Sequence, residues 1–283
     1  MNILSLFDGI SCGQLALNRA GIKYDKYFAS EIDKNAIKVT QHNFPNTIQL
    51  GDVQNINSKD LPKIDILLGG SPCQGFSFAG KQLNFNDPRS KLFFEYARLL
   101  NESNPKYFLL ENVKMKKEYQ DIISKTVGAE PIEIDSQLVS AQKRIRLYWT
   151  NIPNVQKPED KKIFIKDIIE INGEFEFVHQ EIYKNGKKRG ISWQYDGTGK
   201  KHDSQNYRAY FLDGKIGCLS HSSCHTAKIL TENGVRKTTR IEHERLQTIP
   251  DNYTKSVKIN KSKSMLGNGW TIDVIAHILS FIK

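Results

Sequence analysis

The residue best placed to do chemistry in this chain is Cys73, in the run Gly69-Gly70-Ser71-Pro72-Cys73-Gln74-Gly75-Phe76-Ser77. Ile64-Asp65-Ile66-Leu67-Leu68 precedes it and reads as a short buried strand. The thiol therefore falls just past a strand's C-terminal end, where open α/β sheets hold their ligands. Taken alone, a cysteine in a Gly/Pro turn is simply a small buried hydrophobe. The glycines and proline around it, however, give up side-chain volume for backbone shape, which implies close approach of something to the main chain.

Other polar groups fall at comparable points. Glu31 follows Tyr27-Phe28-Ala29-Ser30, Asp52 follows Thr47-Ile48-Gln49-Leu50-Gly51, and Glu111 follows Tyr107-Phe108-Leu109-Leu110. Arg144 and Arg146 alternate into a strand at 145–150, on one side of it, either toward a ligand or as a solvated cationic edge. Glu31 lies roughly twenty residues past the turn Asp8-Gly9-Ile10-Ser11-Cys12-Gly13, where nucleotide-binding α/β domains set an acid against a ribose diol. An acid at such a strand end can equally cap the next helix, a role also open to Asp33.

These groups need a scaffold that gathers strand ends. Residues 2–7 form an apolar run, the glycine turn follows, and residues 14–20 read as a helix ended by Gly21. Such a turn sets a ligand against backbone N–H groups at a helix N-terminus, although Gly9 and Gly13 do not match Gly-x-Gly-x-x-Gly and equally suit a tight connection. Helices to about residue 42, at 91–101 and at 115–126, with further strands at 131–138 and 145–150, give a doubly wound, mostly parallel α/β sheet. The polar segment 84–90 beside Cys73 reads as a lid.

Composition changes near Asn151-Ile152-Pro153-Asn154. Turn signals at Asn172-Gly173, Asn185-Gly186, Asp196-Gly197, Asp213-Gly214 and Asn233-Gly234 then indicate a smaller β-rich or irregular module. Within it Lys184, Lys187, Lys188, Arg189, Lys200 and Lys201 surround Trp193 and Tyr195, a pattern suited to phosphate contacts and groove packing, or to a solvated charged loop. His202, His221, His225 and His243 lack metal-ligand spacing and read as surface or polar contacts. Helical pattern returns at 239–247, where Glu242 and Arg245 stand one turn apart and can pair. A last helix at 271–282, after Gly267-Asn268-Gly269-Trp270, carries an apolar face expected to pack on the first module. The boundaries are 1–150, 151–238 and 239–283.

The chain has 283 residues, 41 Lys+Arg against 31 Asp+Glu and a net charge of +10, with a pI near 9.3. This balance favours a polyanionic partner, nucleic acid ahead of an anionic membrane. There is no run of about 18 apolar residues and no basic, apolar leader at the N-terminus, so a soluble, unexported protein is expected. Cys12, Cys73, Cys218 and Cys224 form no Cys-x-x-Cys pair, which points away from a disulfide scaffold or a structural zinc and toward a reducing compartment.

Taken in order, these motifs resemble the cytosine-C5 DNA methyltransferases over most of the chain outside about 151–205. The resemblance rests on Phe7-Asp8-Gly9, Ser30-Glu31-Ile32-Asp33, Gly51-Asp52-Val53, Pro72-Cys73-Gln74 and Glu111-Asn112-Val113. It continues through Gln142 with Arg144 and Arg146, Glu242 with Arg245-Leu246-Gln247, and Gly267-Asn268. Residues 4–33 and 89–153, with Trp270, are similar in texture to the catalytic domains of the animal de novo enzymes. Asp8 and Ser11-Cys12 stand where many members carry other residues, a change familiar in that branch. Cys218-Leu219 replaces a frequent Thr-Leu pair, which puts in doubt any carry-over of base contacts there.

The resemblance implies a Rossmann-like methyltransferase sheet with a smaller target-recognition domain at 151–238, residues 239–283 returning to the catalytic domain. It implies methyl transfer from S-adenosyl-L-methionine, leaving S-adenosyl-L-homocysteine, to C5 of cytosine in a short duplex DNA site, with base flipping and a covalent bond from Cys73 to C6. Glu111 would protonate N3, Arg146 hold the cytosine O2, and Arg144 brace the site or a phosphate. Glu31 would meet the cofactor ribose and Asp52 the adenine amino group, with Phe7, Asp8, Gly9, Ile32, Val53, Pro72, Asn268 and Trp270 around them. No metal and no membrane are expected. A cytoplasmic, nucleoid-associated monomer, bacterial or phage-encoded, acting on double-stranded DNA, with a restriction endonuclease of the same system as a further partner, completes the expectation. The same reaction on RNA and a non-catalytic DNA-binding regulator are the alternatives. A Rossmann oxidoreductase is disfavoured by the missing glycine pattern.

Overall fold

Buried apolar strands set the frame of the first unit, seen in a computed structural model. The structure describes residues 1–72, 91–177, 208–221 and 227–283, together with the backbone of two strands at 182–183 and 191–194. Cys73, the lid at 84–90, Cys224, His202, His225 and the basic aromatic stretch around Tyr195 lie outside the described residues, as does the side chain of Trp193. Two compact units separate, one of residues 1–135, 145–157 and 272–283, the other of 136–144 and 158–271.

In the first unit β1 (Asn2–Leu6), β2 (Lys26–Ser30), β3 (Ile48–Gln49), β4 (Ile66–Gly70), β5 (Tyr107–Val113), β6 (Pro131–Asp135) and β7 (Ile145–Thr150) form one seven-stranded sheet. The order is β3-β2-β1-β4-β5-β7-β6. The first five are parallel, and β7 runs antiparallel to both β5 and β6. The strand order therefore reverses between β1 and β4, which opens a crevice at their C-terminal ends, the place where such sheets bind ligands. Leu4, Leu6, Leu67, Phe108, Leu110 and Trp149 fill the core that the sheet shares with its helices.

Helices α1 (Cys12–Arg19), α2 (Lys34–Asn43), α3 (Lys91–Ser103) and α4 (Lys117–Val127) connect the strands. Among the boundaries that differ from the sequence expectation are two strand ends. The strand before Cys73 runs on through Gly69 and Gly70, because a Cβ on Gly69 would stand 2.7 Å from the Tyr96 ring of α3, and its absence lets the helix settle on the sheet. The strand expected at 131–138 ends at Asp135 and gives way to a 3-10 turn at Ser136–Leu138.

The second unit is built on a sheet of β8 (Ile182–Tyr183), β9 (Ile191–Gln194), β10 (Ala209–Phe211), β11 (Lys228–Thr231) and β12 (Gly234–Lys237), in the order β12-β11-β10-β9-β8. Its core joins Ala141, Ile165, Tyr210, Ile216, Leu219, Ile229 and Leu246. Two helices complete it, α5 (Arg240–Leu246) and α6 (Ile259–Asn268). The expected pairing of Glu242 with Arg245 does not form. Glu242 sits at the third position of α5 and reaches back to the N-terminus, accepting from Thr239 N–H in a capping box and pairing with buried Arg236 at 2.6 Å. Arg245 turns to Asp251, also at 2.6 Å. His243 is buried, with Nδ1 2.6 Å from the Thr239 carbonyl oxygen.

The last helix, α7 (Ile272–Leu279), belongs to the first unit and packs on α1, with Arg19 paired to Asp273. No helix among the described residues is long and apolar enough to cross a membrane.

Candidate active site and cofactor turn

The turn leaving β1 is shaped by three left-handed residues, Phe7 (φ 56°), Gly9 (φ 61°) and Ser11 (φ 59°). Two of these are not glycine, so bonds from outside must hold them there. The Asp8 N–H donates to the Ser30 carbonyl at 3.0 Å, and the Gly9 N–H donates to Glu31 Oε2 at 2.8 Å. Glu31 Oε1 accepts from the N–H groups of Ile32 (2.7 Å) and Asp33 (2.8 Å). The capping of α2 falls instead to Asp33, whose Oδ1 accepts from Asn35 N–H at 2.8 Å.

The tips of β2 and β3 are tied together by Ser30 Oγ, which donates to the Gly51 carbonyl at 2.8 Å. Glu31 and Asp52 each lie one residue beyond that bond, so both acids leave the same edge of the sheet. Asp52 accepts from Gln54 N–H at 3.0 Å and starts the 3-10 turn at Val53–Asn55. Beside them Ile32 is 72% exposed while Val53 is buried.

On the other side of the reversal point, Gly70 pairs with Glu111 across β4 and β5. Asn112 Nδ2 donates to Ser71 Oγ at 3.1 Å, fixing the chain where it leaves β4 for Pro72 and Cys73. Glu111 is 9% exposed. Its Oε1 lies 2.9 Å from Arg146 Nε, and Arg146 Nη1 also donates to the Ile145 carbonyl at 2.8 Å.

Arg144 has different partners. It is buried, and its Nη1 donates to the carbonyls of Leu219 (2.7 Å) and Gly267 (3.2 Å) while its Nη2 donates to that of Gly269 (2.9 Å). Gln142 and Gln247 run alongside: Gln142 Oε1 accepts from Leu219 N–H at 2.8 Å, and Gln247 Nε2 donates to the Leu266 carbonyl at 2.6 Å. Gly267 carries no side chain because a Cβ would meet the Ser220 carbonyl oxygen at 2.5 Å. This knot clamps residues 218–221 onto the end of α6, from which Asn268 projects exposed and Trp270 half-buried.

The structure thus brings Glu111 to Arg146 and Glu31 to Gly9. It also shows a feature that local pattern did not reveal, namely that Asp8 is buried beneath the turn with Tyr27 and Ser11 as partners. Its one sequence signal is a tyrosine inside an apolar strand, whose hydroxyl needs a partner.

Comparisons with known proteins place the chain in a family. A family profile described as C-5 cytosine-specific DNA methylase matches residues 1–128 and 117–283. The chain is 32% identical to the type II methyltransferase M1.ScrFI of Lactococcus lactis subsp. cremoris, over 98% of this chain and 76% of that protein. It is 29% identical to the type II methyltransferase M.HhaI of Haemophilus parahaemolyticus, over 98% of this chain and 93% of that one. Among solved structures, the Entamoeba histolytica methyltransferase EhMeth shares the fold with a TM-score of 0.78 at 17% identity, over 99% of this chain and 97% of its own. The chain therefore belongs to the C-5 cytosine-specific DNA methylase family, and is an S-adenosylmethionine-dependent DNA cytosine-5 methyltransferase.

Proposed function

We propose that methylation proceeds on a cytosine flipped out of the duplex and held covalently by Cys73, with Glu111 and Arg146 as its polar clamp. The observation that carries this reading is the Glu111 Oε1 to Arg146 Nε contact at 2.9 Å, on the strand end whose neighbour leads directly into Cys73. C5 of cytosine is a weak nucleophile, so the ring must be activated. The Cys73 thiolate forms a bond to C6, and the displaced electron pair moves through the ring as Glu111 gives a proton to N3. Arg146 holds the O2 side of the base, where charge develops. Bound S-adenosylmethionine supplies the electrophilic methyl group that C5 takes. Loss of the C5 proton to solvent then expels Cys73 and restores the aromatic ring, and Glu111 recovers its proton from N3.

The residues of the turn fit that cofactor. Glu31 keeps one lone-pair site, on Oε2, for a hydroxyl beyond the three N–H groups it already holds, Asp52 suits an exocyclic amine, and exposed Ile32 offers an apolar face to a purine. A Cβ built on Gly9 meets nothing within 4 Å, so the main chain there is open to close approach. Phe7, Asp8, Val53 and Pro72 complete the pocket in this reading. Extrusion of the base costs a few kcal/mol, offset by contacts from the recognition module at 151–238. The protein acts as a monomer, with a restriction endonuclease of the same system as its functional counterpart.

A duplex carrying 5-fluorocytosine tests the covalent step, because fluorine at C5 cannot leave as a proton and the adduct is trapped. An adduct stable to denaturation is expected with the wild type and absent with Cys73→Ser. Full methylation by Cys73→Ser, read by bisulfite sequencing of DNA from a methylation-free host, would refute it. A structured RNA run beside the duplex is expected to remain unmethylated.

A further inference from the structure

The cofactor turn rests on a carboxylate for which the reaction has no use. Asp8 is buried and both its oxygens accept, Oδ1 from the Tyr27 hydroxyl and Oδ2 from the Ser11 hydroxyl, each at 2.7 Å. Ser11 Oγ in turn accepts from Gln14 Nε2 at 2.9 Å, and the same amide nitrogen donates to Thr47 Oγ1 at 2.7 Å. Gln14 Oε1 accepts from the Tyr24 hydroxyl at 2.8 Å. The hydrogens of Tyr27, Ser11 and one side of the Gln14 amide run toward Asp8, while the other Gln14 amide hydrogen is held by Thr47. Gly13 makes room for it, since a Cβ there would stand 2.5 Å from the Tyr27 hydroxyl oxygen.

We propose that ionised Asp8 is the positioning residue that locks the Phe7–Ser11 turn for the cofactor, and that proton uptake by its carboxylate releases the turn and weakens cofactor binding. The proposal rests on the reading of this turn as the cofactor site. A protonated Asp8 would present an O–H to two hydroxyls that are already donating, so one of them must turn round. Ser11 can accept from it only by swinging its own hydrogen off the carboxylate, so the charge-assisted bond between Ser11 and Asp8 gives way to a weaker neutral one. The left-handed conformation of Ser11 then loses its charged anchor, and with it the turn that holds Gly9 loosens.

The groups that face Asp8 are Ser5 from β1, Ser11 at the N-cap of α1, Gln14 from α1, Tyr27 from β2, and Glu31 beyond β2, with Tyr24 one bond further out. Burial pushes the Asp8 carboxyl up to about 6, against the lowering effect of the Ser5, Ser11 and Tyr27 hydroxyls and with a smaller push from the charge on Glu31. Burial also raises the Tyr24 and Tyr27 phenols, which stay neutral donors. The ionised form therefore prevails above neutrality and is lost under mildly acidic conditions.

Calorimetric titration of the full chain with S-adenosylhomocysteine from pH 5 to pH 8 tests this. For the wild type the Kd is expected to rise as pH falls, approaching about tenfold per pH unit below the midpoint. Asp8→Asn should bind weakly with a flat profile over the same range. Tyr27→Phe removes one donor to the carboxylate and should move the midpoint to higher pH. Wild-type pH dependence in Asp8→Asn, or an unmoved midpoint in Tyr27→Phe, overturns the proposal. Absence of binding by the wild type at every pH would instead overturn the cofactor reading on which it stands.

Discussion

Arg146 Nε lies 2.9 Å from Glu111 Oε1, and the pair bridges the antiparallel junction of β5 and β7. The backbone partner of Arg146 is Val113, so the guanidinium reaches Glu111 diagonally, two residues along the same face of the sheet. The two side chains are 13% and 11% exposed, which leaves little water for either charge if the other is removed. Arg146→Met is therefore expected to destabilise the fold by about 3 kcal/mol. The double variant with Glu111→Gln should lose less than the sum of the singles, a coupling of roughly 1–3 kcal/mol. Urea unfolding of the four proteins measures it, and additive losses would show that the contact does not couple the two residues.

Arg144 predicts a different signature, although it stands only two positions away. An arginine on a phosphate contributes about one unit to the slope of log affinity against log salt, and its removal lowers that slope. The Arg144 fork is instead committed to the carbonyls of Leu219, Gly267 and Gly269. Arg144→Lys should lower the thermal midpoint and weaken DNA binding while leaving the salt slope unchanged. A slope reduced by about one would assign Arg144 to the DNA backbone.

What sequence pattern reveals follows from how local each interaction is. Strands buried on both faces read as continuous apolar runs, which is why Ile66-Leu67-Leu68 and Phe108-Leu109-Leu110 stand out. Helix α6 does not, because Ile259-Asn260-Lys261-Ser262-Lys263-Ser264 is polar. It is held by tertiary bonds such as Lys263 Nζ to the Thr238 carbonyl at 2.6 Å. Spacing suggested Glu242 with Arg245, yet a capping box turned Glu242 toward Arg236. The acids at strand tips were legible as a set because topology alone gathers them. The support beneath them was not, since Tyr27 meets Asp8 from 19 residues away and leaves no periodic trace.

Two glycines are expected to resist substitution for different reasons. At Gly267 a Cβ would stand 2.5 Å from the Ser220 carbonyl oxygen and 2.6 Å from its carbon. Main chain cannot swing aside as a side chain can, so Gly267→Ala must part residues 218–221 from α6, at about 1–3 kcal/mol. At Gly51 the space is open but φ is +74°, so Gly51→Ala carries only the left-handed penalty of about 1 kcal/mol. Urea unfolding should rank Gly267→Ala as the more damaging. The reverse order would mean that the 218–221 segment yields easily.

Glu31→Gln separates cofactor positioning from folding. The wild-type carboxylate accepts on both oxygens, from Gly9 N–H on Oε2 and from the N–H groups of Ile32 and Asp33 on Oε1. A glutamine has one acceptor oxygen, and the side facing two N–H groups claims it. Its NH2 group is then set against Gly9 N–H, donor against donor, and the turn is pushed away from the acid that orders it. The sheet beneath is unaffected, because the Ser30 Oγ bond to Gly51 and the Asp8 N–H bond to Ser30 do not involve Glu31. Binding of S-adenosylhomocysteine should weaken by about 10- to 100-fold, the worth of one to two charge-assisted hydrogen bonds. The thermal midpoint of the free protein should move by only a few degrees. Weakened binding with an intact fold marks Glu31 as a cofactor-turn residue, whereas a large loss of stability with unchanged affinity would make it a structural cap.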